Sequence, residues 1–212
     1  MIKRLKDKLD RLLDEDERKI VLMESMAASA SEPDLRIVGL FAEVVDEKVA
    51  EIVHAMLYMN EMNKIQEDES KKRDIEFYLS TYGGSADDMF ALYDMMKVVE
   101  QTTDISTIGM GKVMSAGVLI LAGGTKGKRK IGRNCRVMLH SVIAGNQGSL
   151  HNLINEMEAI QDLQEMYIDR LVEETKMTKK QLKKMLEQKV NIYLSAEQAV
   201  EYGIADEIIG GD

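Results

Sequence analysis

The sequence predicts an α/β domain in which helices cover a sheet. Three observations carry this. Short runs rich in Ile, Val, Phe, Tyr and Leu are bounded by turn residues and read as strands. Between them lie amphipathic segments at helical spacing, so the order is strand, helix, strand, helix along most of the chain. And 45% of the 212 residues are apolar, enough at this length for a core between a sheet and its helices.

The elements follow in chain order. Ile2, Leu5, Leu9, Leu12 and Leu13 form one apolar stripe, so residues 2–30 read as helix. A break over 29–34 contains Pro33, the one proline, and divides an N-terminal helical segment (1–34) from the main domain (35–212). Residues 35–41 read as a strand. Asp46 is expected to cap a helix carrying Val49, Ile52, Val53, Met56, Leu57 and Met59. Residues 61–74 read as a charged, solvated connector with no evident chemistry. A strand over 75–80, a tight turn at Gly83-Gly84, a helix over 86–100 and a strand over 104–110 come next. The apolar segment 115–122 ends at Gly123-Gly124, a helix stop. The basic run 126–130 reads as a solvated turn and 136–139 as a strand. A long helix spans 149–175, its apolar side marked by Leu153, Met157, Ile160, Leu163, Tyr167 and Leu171. Thr178-x-x-Gln181 and Ser195-x-x-Gln198 fit capping boxes that start two short helices, and Gly203 closes the second.

Composition excludes several classes. The net charge of −9 argues against nucleic acid, whose binding rests on a positive surface. Cys135 is the single cysteine, so no internal disulfide framework exists, and it reads as a small buried hydrophobe. No stretch reaches the ~18 apolar residues of a membrane span. The first residues are too charged for a signal peptide, and a reducing, cytoplasmic setting is expected.

Ser115, in Gly-Lys-Val-Met-Ser-Ala-Gly117, is the leading candidate for chemistry. A serine hydroxyl becomes a nucleophile when a base sits beside it and N–H donors await the oxyanion. An ordinary N-cap serine is the alternative. Gly111 and Gly117 are expected to let backbone come close on both sides. The motif is not the G-x-S-x-G elbow, because Val113 occupies the first glycine's position. Among His54, His140 and His151, His140 is the candidate base, since it ends an apolar strand and histidine exchanges protons near neutrality. A hydrogen-bonded core histidine is the alternative. His54 and His151 read as structural or solvated. Gly83-Gly84 can present N–H groups to a ligand, or make a plain tight turn.

Together these residues resemble the proteolytic subunit of the Clp protease over roughly 35–209. The resemblance rests on Phe77-Tyr-Leu-Ser-Thr-Tyr-Gly-Gly84, Leu92-Tyr-Asp-Met-Met96, Ile105-Ser-Thr-Ile108, Ser115-Ala-Gly-Val-Leu-Ile-Leu-Ala-Gly-Gly124, Lys126-Gly-Lys-Arg129, Asn134-Cys-Arg-Val-Met-Leu-His140 and Leu194-Ser-Ala-Glu-Gln-Ala-Val-Glu-Tyr-Gly203. It implies a spiral α/β domain of the Clp protease and crotonase type, with the long helix protruding as a handle. It implies a serine endopeptidase with Ser115 as nucleophile, His140 as base, and backbone oxyanion donors at Gly84 and Ala116. The stretch after Gly84 would hold substrate backbone as an added strand. No metal or organic cofactor is implied. The implied partners are further copies of the chain in two stacked heptameric rings, an unfoldase of the AAA+ class, and unfolded protein or peptide as substrate.

Four departures stand out. Asn191 occupies the position of the family's triad aspartate; its amide oxygen can still accept the imidazole N–H. Glu187 is the nearest alternative acid. Tyr82 replaces the proline usual before the paired glycines, and Lys112 stands where the family carries a neutral residue. Residues 1–34 lack the family's axial-loop pattern. Two other readings keep the same fold: a non-catalytic subunit modulating a partner ring, favoured by Asn191 and opposed by the intact Ser115 and His140, and an acyl-CoA-binding crotonase-like protein, opposed by the missing basic surface.

Overall fold

A computed structural model describes residues 35–187 and 191–211. Over these residues seven strands join one sheet and six helices accompany it; four of the strands, at 37–40, 75–81, 105–114 and 136–139, lie where the sequence predicts strands. The helix expected over 2–30 lies outside the described residues.

β1 (Ile37–Leu40), β2 (Ile75–Thr81) and β3 (Ile105–Met114) pair in parallel. On β2, Ile75, Phe77, Leu79 and Thr81 are buried and the residues between them are not, the period-two signature of a strand covered on one face. β3 divides its second edge. Ile108 and Gly109 pair with β4 (Lys130–Gly132), whereas Lys112 to Met114 pair with β5 (Arg136–Leu139). β4 continues into β7 (Glu207–Ile209), and β5 pairs antiparallel with β6 (Ile192–Leu194). The sheet therefore forks at the C-terminal half of β3, and the chain leaves β3 directly at Ser115.

The helices are α1 (Asp46–Lys64), α2 (Ala86–Glu100), α3 (Ala116–Ala122), α4 (Leu150–Glu174), α5 (Lys179–Glu187) and α6 (Ala196–Glu201). All seven residues of α3 are buried, so α3 is the central helix of the core, and α2 packs on it through Met89, Leu92, Tyr93 and Met96. Both capping boxes form. Thr178 and Gln181 exchange hydrogen bonds at the start of α5, and Ser195 and Gln198 do so at α6.

Four expectations need correction. Val45, not Asp46, is the N-cap of α1; Asp46 is already helical, with its carboxylate accepting from the Glu47 N–H at 2.7 Å. The connector at 61–74 is not simply solvated. α1 runs on to Lys64 because the buried Asn63 amide bonds the Arg73 backbone and the Thr103 hydroxyl, and a 3-10 turn follows at Glu69–Lys71. β4, β6 and β7 are strands that no sequence pattern announces; each has three residues, too few for alternation to register.

The fourth correction concerns the basic run 126–130, a structural joint rather than a solvated turn. Lys128 pairs with Asp74 and Asp104 at 2.6 and 2.7 Å. The buried Arg129 grips Asp206 with two hydrogen bonds of 2.8 and 2.6 Å, and its remaining Nη1 donates to the Ala122 and Glu174 carbonyls. It thus ties the ends of α3 and α4 to the turn before β7.

Candidate active site

Ser115 sits in a sharp turn between β3 and α3 at φ 53°, ψ −122°. It is the one non-glycine residue with positive φ among the described residues. Such a conformation costs about 1–3 kcal/mol and persists only where the surroundings over-determine it. Here they do. The Ser115 N–H donates to the Met138 carbonyl at 2.8 Å, while its own carbonyl accepts from the Val118 N–H at 3.0 Å and the Tyr167 hydroxyl at 3.2 Å. The side chain, by contrast, does not cap α3. Ser85, Ser149 and Ser195 also precede helices, and each accepts a hydrogen bond from its helix; the Ser115 hydroxyl makes no such bond. The N-cap alternative therefore does not hold. The G-x-S-x-G sequence is absent, yet the strained strand-to-helix turn it usually encodes is present.

The paired glycines pack against this turn. Gly83 has φ +99°, and a Cβ there would lie 2.6 Å from the Ser115 Cβ and 3.1 Å from the Ala116 nitrogen. At Gly84 a Cβ would lie 2.1 Å from the Val44 carbonyl oxygen. Val44 bridges Gly84 through the Gly83 carbonyl and the Ser85 N–H, so the bridge leaves the Gly84 N–H on the side away from Val44. Gly117 provides close approach, since a Cβ there would lie 2.5 Å from Thr81 Cγ2. Gly111 does not: its surroundings are open, and it answers to a φ of +66° instead.

A pocket of about 360 Å³ opens over this turn, lined among others by Gly84, Ser115, Ala116, His140 and Tyr82. Ser115 and His140 thus share one cavity, brought there by adjacent strands: Met114 pairs with Met138, two residues before His140. No hydrogen bond joins the Ser115 hydroxyl and the His140 ring among the described residues. The ring Nδ1 contacts the Ser141 carbonyl at 2.5 Å. A carbonyl only accepts, so the proton lies on Nδ1 and leaves Nε2 as the basic nitrogen. Catalytic hydrogen bonds are often loose before substrate binds.

Asn191 is exposed and directly precedes β6. Leu139 pairs with Ile192, so His140 and Asn191 are the residues next beyond the last pair of the β5–β6 ladder. Glu187 is exposed at the end of α5 and lines a separate pocket that excludes His140. His54 and His151 are exposed on α1 and α4. Cys135 is 1% exposed, and burial pushes its thiol up to about 11, so it is inert packing.

Tyr167 is the residue that sequence reasoning passed over as part of an apolar stripe. Its ring is buried and its hydroxyl holds the Ser115 carbonyl. The available signal was a polar tip on the one aromatic side chain among the aliphatic positions of that stripe.

The family model of the Clp protease matches residues 8–212. The chain belongs to the Clp protease family. The match begins in the N-terminal segment and runs through the described domain. No helix among the described residues is long and apolar enough to cross a membrane.

Proposed function

We propose that this Clp protease domain is a serine endopeptidase with Ser115 as nucleophile. The observation that carries the reading is the strained turn at Ser115, with its hydroxyl free of any cap and its cavity shared with His140. In this mechanism the Ser115 Oγ attacks the scissile carbonyl and His140 Nε2 takes its proton. The developing oxyanion accepts from the Gly84 and Ala116 N–H groups, a contribution of ~3–4 kcal/mol per donor in comparable sites. The tetrahedral species collapses, His140 returns the proton to the leaving amine, and water then hydrolyses the acyl-enzyme by the same steps. A fluorophosphonate probe tests this. Labelling is expected in the intact protein and absent in Ser115→Ala; a protein that never labels in any assembly state refutes it.

Asn191 is the third member in this reading. Its amide oxygen, one residue beyond the Leu139–Ile192 pair, would accept the hydrogen bond from Nδ1–H that the Ser141 carbonyl now accepts. An amide orients the ring but does not offset the imidazolium charge, and the corresponding Asp-to-Asn exchange in a trypsin-like enzyme cost ~10⁴ in turnover. Asn191→Asp is therefore expected to raise the turnover of a fluorogenic peptide by at least tenfold; unchanged turnover would remove Asn191 from the mechanism.

Assembly completes the proposal. Leu150, Ile154 and Met157 lie exposed on α4, an apolar surface suited to contact between two stacked heptameric rings. Enclosed sites would restrict substrates to unfolded chains delivered by an AAA+ unfoldase. A non-catalytic subunit modulating a partner ring is the second reading. The missing Ser115–His140 hydrogen bond favours it, and the same labelling experiment decides between them.

A further inference from the structure

Two of the departures, Tyr82 and Lys112, touch each other. Lys112 Nζ lies 4.5 Å from the centroid of the Tyr82 ring, and Tyr82, 66% exposed, lines the pocket that holds Ser115. Beside Lys112 on the next strand is its ladder partner Arg136, whose guanidinium lies 5.7 Å from the Tyr193 ring. Tyr193 in turn pairs with Met138, two residues after Arg136. Because side chains alternate along strands, Lys112, Arg136 and Tyr193 share one face of β3, β5 and β6, opposite the buried Val113, Val137 and Leu194.

Two like charges side by side on neighbouring strands repel. Neither cation makes an ion pair with a carboxylate among the described residues, on a chain whose net charge is −9. Each is seated instead on an aromatic face, which orients it without neutralising it. A pair of oriented, unneutralised cations is a receptor for an anion. Lys112 and Ser115 are three positions apart along the chain, about 10 Å of extended backbone. An extended substrate covers the same distance in three residues.

We propose that Lys112 and Arg136, each held against a tyrosine, form a cationic strip that binds a carboxylate on the peptide substrate about three residues from the scissile bond. This rests on the serine-peptidase reading of Ser115, and it gives that reading a substrate class: acidic segments of unfolded chains.

Peptide binding to the Ser115→Ala protein tests the strip apart from catalysis. Fluorescent peptides of matched sequence carry Asp, Asn or Lys two to four residues either side of the central bond, and anisotropy gives their affinities. The Asp peptide is expected to bind about fivefold more tightly than the Asn peptide at low salt, with the gap closing at high ionic strength. Lys112→Gln and Arg136→Gln in that background should each shrink the gap, and Lys112→Glu should turn the preference toward Lys. Equal affinities for all three peptides, or a preference for Asp that survives both neutral substitutions, overturns the strip. Fluorophosphonate labelling of the Ser115 protein reads the other question. Acid preference without labelling leaves the strip standing and removes the peptidase.

Discussion

Gly84→Ala is expected to lower the rate of fluorophosphonate labelling of Ser115 by ~100-fold or more. The added methyl would lie 2.1 Å from the Val44 carbonyl oxygen, 2.7 Å from the Val44 nitrogen and 2.8 Å from its carbonyl carbon. All three are backbone atoms, so no rotamer change relieves the clash, and the bridge to Val44 must open. That bridge fixes where the Gly84 N–H points. Its loss therefore removes an oxyanion donor even where the rest of the domain stays folded. Labelling kinetics read the site, and thermal melting monitored by circular dichroism reads the fold. A variant that melts like the parent and labels at the parent rate would show that Gly84 serves only as a turn.

Arg129→Met should give the largest loss of stability. The guanidinium is buried and donates to the Asp206 carboxylate and to the carbonyls ending α3 and α4. Truncation leaves those acceptors without a donor, and breaking a buried pair from one side costs about 3–5 kcal/mol. For a domain of this size that is a fall of ~10 °C in melting temperature. The pH dependence carries a definite sign. Burial pushes the Asp206 carboxyl up, but hydrogen bonds from the Arg129 guanidinium and from the Arg129 and Gly127 N–H groups more than offset it, so the group titrates below its ordinary value. A carboxylate with a lowered folded-state pKa contributes stability above its unfolded value of about 3.9 and loses it as pH falls through the folded value. The gap between parent and Arg129→Met should thus be full at neutral pH and narrow only in acid. A gap that is the same at pH 3 and pH 7 would contradict the pairing.

The joint at Arg129 matters for the site because α3 begins directly after Ser115 and α4 carries Tyr167. Both ends of the arrangement that hold the Ser115 turn are anchored, at their far ends, by one side chain. The sequence offers this residue only as part of a basic run, and a basic run has no intrinsic reason to be buried. Its partner Asp206 is 77 residues away, beyond the reach of any local pattern.

Periodicity made several elements legible without a structure. The helix over 86–100 and the strand over 136–139 run between the expected residues, and the long helix agrees to within a residue at each end. Each has enough length for its apolar repeat to register and a cap or turn to stop it. The same local reading brought forward Ser115, His140 and Gly84, residues that one cavity now collects. It missed Tyr167 and the meeting of Tyr82 with Lys112, because each contact joins elements distant in sequence, the first through helix packing and the second through the approach of the turn after β2 to β3.

The longer helices and strands follow from the chain alone, since an apolar repeat of 3.6 or 2 is a property of neighbouring residues, whereas the three-residue strands β4, β6 and β7 exist only through their sheet partners. Tertiary structure alone decided the φ of 53° at Ser115. No local preference selects that conformation for a serine; Met138 and Tyr167, reached through strand pairing and helix packing, hold it there against its strain.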